Sequence, residues 1–151
     1  MTVSQDDHLT LGDSARRLGE AIWVEERLFE VLGAFDADEV PAPARVALSE
    51  VSRRHGWRAA QLRDRLPEVP GFAAADVVAP PADGSDLDRA GEARDVPQLL
   101  GAVEPVLARL DASYEQHLDR CSQVSDAVVA RTLALVLTDL RIDRERLRSL
   151  L

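Results

Sequence analysis

Residues 67–96, PEVPGFAAADVVAPPADGSDLDRAGEARDV, decide how the helices of this chain are connected. Prolines and glycines recur through the stretch and interrupt every helical or alternating apolar pattern, most densely at residues 80–85 (PPADGS). The stretch is therefore predicted to be a linker of about thirty residues. A connection of that length inside a compact domain is expected to travel the full length of the domain, so that the helices before and after it run parallel.

Two predicted helices lie on each side of this linker. Apolar side chains recur there at three- and four-residue spacing, which is typical of helices with one apolar face. The pattern predicts helices over about residues 13–35, 44–66, 97–121 and 125–150. The predicted fold class is all-α: a single domain spanning residues 1–151, built as a four-helix bundle with a long crossover between helices two and three.

The ends of these helices are predicted from capping residues. Asp13, Asp95 and Ser125 each precede an apolar periodic run and are the expected N-caps. Pro105 leaves two alternatives for the third helix, which either begins at the proline or begins near Val96 and kinks where the proline removes a backbone hydrogen bond.

Composition agrees with one helical domain. The chain has 151 residues, of which 46% are hydrophobic and 30% charged, enough for one core and too few for two domains of ordinary size. Aromatic residues make up only 4% of the chain. The commonest residues are good helix formers, so helices are favoured over strands.

The charge of the chain excludes several classes of function. The net charge of −9 would repel phosphate, so nucleic acid and anionic membranes are not expected partners. All basic residues are arginine, which excludes a Walker-type phosphate loop and every lysine-based mechanism. Cys121 is the single cysteine, and residues 1–10 contain no apolar run. We therefore expect no disulfide, signal peptide or membrane span, and a cytoplasmic location.

Three polar side chains interrupt the apolar stripes: Glu25, His55 and Asp139. Glu25 lies about ten residues before the end of the first predicted helix and His55 about ten after the start of the second, so the two are expected at one level. The same count puts Asp139 near that level, with helix three contributing a side chain around Leu107 or Glu104. The prediction is one polar layer inside the core.

Other polar residues on apolar stripes are weighed separately. Asp143 lies one helical turn beyond Asp139, so either carboxylate or both are expected to face inward. Counting places Tyr114 and His117 roughly 9–13 Å from the layer, as a separate feature. Cys121, near His117 in sequence, is a candidate nucleophile, but a buried free cysteine is more often a small apolar side chain.

Buried carboxylates are costly unless they are paired, and three interpretations of the layer remain open. In the first, Glu25, His55, Asp139 and Asp143 are metal ligands, since carboxylates with an imidazole suit iron, manganese or zinc. In the second, Glu25 and His55 form a metal-free catalytic acid–base pair beside a small-molecule cavity. In the third, Glu25 holds His55 as a structural histidine and Asp139 pairs with an arginine such as Arg58.

Three stretches resemble bacterial proteins of the ferritin-like superfamily: residues 24–33 (VEERLFEVLG), 52–62 (SRRHGWRAAQL) and 64–67 (DRLP). The likeness covers helices one, two and four and the crossover. It implies a bundle in which a pair of iron or manganese ions is held by a Glu on helices one and three and a Glu-x-x-His on helices two and four. Glu25 takes the first-helix role in that pattern, and His55 the role of the second-helix histidine.

The chain also departs from that pattern. Ser52, and not a glutamate, stands three residues before His55, and the fourth helix offers Asp139 and Asp143 without a histidine. Glu104 is the only carboxylate near the expected level on helix three. The resemblance therefore implies an incomplete or degenerate ligand set.

Three functions are compatible with these residues. The first is a metal-dependent oxidoreductase or oxygenase with a reduced ligand set, for which iron or manganese and no cofactor at all are equal alternatives. The second is a metal-free small-molecule enzyme or binding protein that uses Glu25 and His55. The third is a non-catalytic interaction module that forms a homodimer, because residues 127–137 are apolar almost all around the helix.

Overall fold

A computed structural model describes residues 7–151 and confirms the all-α prediction, since this part of the chain contains helices and no strand. In chain order the helices are α1 (Leu11–Ala34), α2 (Ala42–Arg63), α3 (Ala74–Val77), α4 (Asp86–Gly91), α5 (Val96–Asp119) and α6 (Ala127–Arg148). Residues 1–6, part of the segment expected to lack a targeting signal, lie outside the description. Within residues 7–151, none of the helices is both long and apolar enough to cross a membrane.

The predicted N-cap of α5 is right and those of α1 and α6 are wrong. Asp95 caps α5 through its carboxylate. Thr10 caps α1 instead of Asp13, because its hydroxyl accepts a hydrogen bond from the Asp13 backbone N–H at 3.1 Å. Helix α6 begins after Asp126, one residue later than predicted from Ser125, and no side chain caps it.

The crossover is more regular than its prolines and glycines predict, because it contains α3 and α4. Val77, Leu87 and Ala90 from these short helices are buried, so the crossover covers part of the core. It lies close to α1: a Cβ atom added to Gly19 would come within 2.1 Å of the Val77 carbonyl oxygen. Glycine at this position lets the two backbones approach.

The four long helices contact one another in a cycle, α1 with α2, α2 with α6, α6 with α5 and α5 with α1. The ion pairs between α2 and α6 advance along one helix while they recede along the other, from Glu50 with Arg146 to Arg58 with Asp139. These helices are therefore antiparallel, and the pairs between α5 and α6 follow the same order. Helices α2 and α5 consequently run parallel, as the long connection between them predicts.

Each long helix contributes apolar side chains to one core, which the crossover extends with Leu87. Fully buried members include Ile22, Leu28, Val51, Leu62, Leu99, Val103, Leu133, Val136 and Leu140. Helix α5 begins at Val96 and continues through Pro105, so the proline lies inside the helix and does not begin it. Polar side chains interrupt this core where α1, α2, α5 and α6 meet.

Candidate functional site

The polar side chains that meet in the core form one connected set, here called the core network. Its members are Glu25, Arg54, His55, Arg58, Tyr114, Asp139 and Asp143. Most of these side chains are inaccessible to solvent, but that of Asp139 is 25% exposed and that of Arg54 31%. The network therefore extends from the centre of the fold to its surface between α2 and α6.

Arg58 is the centre of the network. Its Nε donates to Glu25 Oε1 at 3.1 Å, and its Nη1 donates to Asp143 at 2.9 Å and to Asp139 at 2.5 Å. Burial alone would lower the pKa of Arg58, but the charges of Glu25 and Asp143 outweigh it and raise the pKa well above its usual value. One buried guanidinium thus holds α1, α2 and α6 together.

Glu25 links the arginine to the two rings of the network. The Tyr114 hydroxyl donates to Glu25 Oε1 at 2.7 Å, and His55 Nδ1 lies 2.5 Å from Oε2. Burial would raise the pKa of Glu25, yet the neighbouring charges of His55 and Arg58 and the hydrogen bonds hold it below its usual value. Burial and the Glu25 charge raise the pKa of Tyr114 well above 10, so the phenol stays protonated and donates.

His55 has one committed and one free nitrogen. Its Nδ1 lies close to both Glu25 and the Nη2 atom of Arg58, at 2.5 and 3.0 Å. An imidazole nitrogen cannot donate to one neighbour and accept from the other at once, and the shorter contact with a carboxylate assigns the proton to Nδ1. The Nε2 atom is buried without a hydrogen-bond partner among residues 7–151. Nε2 is therefore the imidazole nitrogen that the described side chains leave unpaired.

The carboxylates of the core network outnumber its arginines. Glu25, Asp139 and Asp143 carry three negative charges, while Arg54 and Arg58 carry two positive ones. A buried excess charge is costly, and it is reduced here because Asp139 and Arg54 are partly exposed, so that water solvates part of the charge.

The predicted layer is present, with a different balance between its aspartates. Glu25, His55, Asp139 and Asp143 all belong to the network. Asp143 is fully buried and bonded by Arg54 and Arg58, whereas Asp139 lies at the network's edge. Both carboxylates therefore face α2. Asp143 is the more buried of the two, although the sequence pattern assigned Asp139 to the layer.

Helix α5 contributes Tyr114 to the network, so the prediction that this residue lies away from the polar layer was wrong. That prediction counted residues from the ends of α5 and α6 that the loop connects, and it assumed that these two ends lie at the same level. The ion pairs of Arg141 with Asp111 and Glu115 instead set a register in which Asp139 lies near the level of Tyr114. A helical side chain also leans toward the N-terminus of its helix, which brings the phenol toward Glu25. Leu107 and Glu104 make no polar contact with the network, so the residues expected from helix three were wrong.

His117 lies apart from the network, as predicted, and Cys121 makes no contact with the network either. His117 is buried, with its Nε2 atom 2.8 Å from the Ser14 hydroxyl, and burial and the charge of Arg17 lower its pKa to about 4. Burial, with the nearby charge of Asp126, raises the pKa of Cys121 to about 11. The thiol is therefore protonated at neutral pH and is not an activated nucleophile.

The network does not resemble a cage of metal ligands. Arg58 lies among the carboxylates where a cation would lie, and its charge would repel one. The described residues contain no group of three or more His, Cys, Asp or Glu side chains placed to hold a metal ion. The assignment of iron or manganese to Glu25, His55, Asp139 and Asp143 stays a prediction.

A small cavity lies on another side of the core, between α1, α5 and the crossover. Its apolar lining includes Ala21, Val24, Leu87, Val106 and Leu110. No member of the core network lines it. This cavity is therefore not the small-molecule cavity beside His55 that the sequence predicted. The cavity beside His55 stays a prediction.

The surface of α6 carries a row of uncovered apolar side chains. Val128, Leu135 and Ile142 recur every seven residues and are 59%, 51% and 61% exposed. We call this row the α6 stripe. Leu135 lies one helical turn before Asp139, which contacts α2, so the stripe follows the α2 side of the helix.

The opposite side of α6 faces α5 through a row of ion pairs, here called the outer ladder. Its arginines lie on α6 and its carboxylates on α5: Arg141, Arg144 and Arg148 with Glu104, Asp111 and Glu115. These arginines lie in the last turns of the helix, and their pairing with α5 could not be predicted from the sequence.

Comparison with protein-family models, with curated proteins and with solved structures finds no match for this chain.

Proposed function

We propose that this chain is a non-catalytic helical module that associates with a second copy of itself, and that its core network fixes how the helices pack. The proposal is carried by the α6 stripe: Val128, Leu135 and Ile142 are left exposed although one core buries apolar side chains from all four long helices. A row of exposed apolar side chains along one face of a helix is a candidate interaction site.

The pairing of the core network supports a structural role for it. The carboxylates of Glu25 and Asp143 receive hydrogen bonds at both oxygens, and Asp139 is paired by Arg58. Carboxylates held in this way have little capacity left to bind substrate or metal. A shift of α6 by one turn, about 5.4 Å, would separate these charges, so the network favours one register over its neighbours.

The architecture is proposed to be that of a ferritin-like four-helix bundle. Support comes from the long connection between two parallel helices, α2 and α5, and from the cyclic contacts of the four long helices. The stretches that resemble the superfamily lie on α1, on α2 and at the start of the crossover. The proposal concerns the arrangement of the helices and carries no metal with it.

Light scattering on purified protein tests the proposed association. We expect a mass above the 16.5 kDa of one chain, increasing with concentration. Ile142→Glu places a charge in the stripe and should return the mass to one chain. Val69→Glu is the matched control, because Val69 is a similarly exposed valine in the crossover, and its mass should equal that of the wild type. Wild-type protein that has the mass of one chain at every concentration would contradict the proposal.

A second candidate function is favoured by the free Nε2 atom of His55. A histidine whose Nδ1 is held by a carboxylate presents its other nitrogen as a base or a metal ligand. This candidate function has two forms. One is a metal-dependent oxidoreductase or oxygenase, and the other is a metal-free small-molecule site at Glu25 and His55. Only this one nitrogen supports it, whereas the carboxylates beside it are paired.

Elemental analysis tests the metal-dependent form of the second candidate. Protein prepared without chelator and supplied with iron or manganese should retain a substantial fraction of one ion per chain if that form is right, and His55→Gln should lose it. We expect negligible metal in both proteins. Stoichiometric metal that His55→Gln abolishes would favour the second candidate over the first.

A further inference from the structure

We infer that α6 pairs with α6 of a second copy in antiparallel orientation, about a two-fold axis that passes beside Leu135. The inference rests on the proposed self-association and adds the geometry of the pair. It follows from the spacing of the α6 stripe and from the charges beside it.

The stripe is symmetric about its middle residue. Val128 lies seven residues before Leu135, and Ile142 lies seven residues after it. In an antiparallel pair centred on Leu135, Leu135 meets the same residue of the partner, and Val128 meets Ile142 of the partner. Every apolar side chain of the stripe then faces another, which is the self-complementarity that a two-fold interface requires. Spacing by seven residues also keeps such a row in register between two helices that coil gently around each other.

The charges beside the stripe select the antiparallel orientation. Arg131 is exposed and forms no ion pair within residues 7–151, and Glu145 on the same flank of α6 is 74% exposed. Helical side chains lean toward the N-terminus of their helix. In the antiparallel pair Arg131 and Glu145 of the partner therefore lean toward each other. A parallel two-fold pair would instead place this flank of the two copies on opposite edges of the interface, so Arg131 and Glu145 of the partner would not meet.

The surface beside the stripe extends the proposed interface onto α2. Trp57 is 40% exposed and follows Arg54 and Glu50 by three and seven residues on the side of α2 that faces α6. Its indole therefore borders the groove between the two helices on the outside. Tryptophan is among the residues most enriched at protein interfaces.

Disulfide trapping tests the geometry directly. In a Cys121→Ser background, a single cysteine is placed at Val128, Leu135 or Ile142, and oxidised glutathione is supplied as the oxidant. We expect Leu135→Cys to form a covalent dimer. Val128→Cys and Ile142→Cys should not do so alone, because each lies about 21 Å along the helix from its counterpart. A mixture of Val128→Cys and Ile142→Cys proteins should form the covalent dimer.

The other trapping results overturn the inference in different ways. Covalent dimers from Val128→Cys alone and from Ile142→Cys alone would show a parallel pair. Association by light scattering without any trapping at the stripe would leave the proposed function standing and remove this geometry. Wild-type protein with the mass of one chain would remove both. Val69→Cys is the control for random collision, and it should give no more covalent dimer than the cysteine-free background.

A charge exchange tests the orientation independently. Arg131→Glu should weaken the dimer, because it brings two glutamates together, and Arg131→Glu with Glu145→Arg should restore it. The expected readout is a dissociation constant that rises on the first change and returns toward the wild-type value with both. Equal weakening by the single and the double variant would count against the antiparallel pair.

Discussion

The core network and the outer ladder contain the same chemical groups in different surroundings. Both join arginines to carboxylates across helices of the same fold, with α6 taking part in each. In the network the Arg58 side chain is 0% exposed, whereas in the ladder Arg148 is 49% exposed. The contribution of an ion pair to stability depends on whether water can replace the partner that is lost.

Because of burial, the core network and the outer ladder differ in how well each tolerates the loss of an ion-pair partner. An exposed arginine or carboxylate that loses its partner is solvated again and screened by salt. A buried one keeps an uncompensated charge in a medium that cannot solvate it. We therefore expect stability to depend strongly on the fully buried groups of the network, such as Arg58, and weakly on the exposed groups of the ladder, such as Arg148.

Replacing Arg58 should have the largest effect. Arg58→Met keeps much of the side-chain volume but leaves the buried charges of Glu25 and Asp143 without their common cation. We expect a loss of about 3–5 kcal/mol in the free energy of unfolding. Urea denaturation followed by circular dichroism measures it, with Arg148→Ala in the outer ladder as the exposed control. A loss no larger than that of the control would remove the distinction between the two sets.

Acid should lower the stability of the fold through His117, a buried residue that belongs to neither the core network nor the outer ladder. His117 has its pKa lowered to about 4 from 6.5, so below pH 6.5 the unfolded chain binds a proton that the folded chain does not. Stability is therefore complete above pH 6.5 and lost as pH falls toward 4, by about 3 kcal/mol in total. His117→Gln, which keeps a polar group near Ser14, should flatten the dependence in this window. Urea midpoints at several pH values test it, and an unchanged slope in the variant would refute the assignment.

Glu25→Gln should have the next largest effect and should act at lower pH. The folded-state pKa of Glu25 lies below its usual value of 4.5, because His55, Arg58 and hydrogen bonds outweigh burial. Its stabilising effect is therefore present above pH 4.5 and lost as pH falls through the lowered pKa. The variant should lose about 1–3 kcal/mol at neutral pH and should depend less on pH in the acid range. A variant as stable as the wild type at neutral pH would show that the Glu25 charge is not needed.

The fold was largely predictable because apolar spacing and breakers act locally. The four long helices and the crossover between parallel helices follow from three- and four-residue periodicity and from the prolines and glycines of residues 67–96. The short helices α3 and α4 were missed because one or two turns give no periodic signal. They form where Val77 and Leu87 can be buried against the long helices, which is a property of the assembled fold.

The site was predictable only as far as helix rotation and register allow. Glu25 and His55 stand out because they replace apolar residues within a stripe, and Arg58 was named as a partner for an aspartate. Tyr114 was misplaced because the register between α5 and α6 depends on ion pairs such as Arg141 with Asp111. Ion pairs between distant parts of the chain cannot be predicted from the spacing of apolar residues within either helix.

Arg148→Ala should have the smallest effect of these changes and completes the comparison. Arg148 pairs with Glu104 and Glu145, but both partners are themselves at least partly exposed, and Glu104 keeps Arg144 when Arg148 is lost. The midpoint of urea unfolding should therefore lie within error of the wild type. Any small difference should vanish in high salt, where exposed charges are screened, whereas the loss in Arg58→Met should persist. If both variants responded to salt alike, water would reach Arg58 as well, and burial would no longer distinguish the core network from the outer ladder.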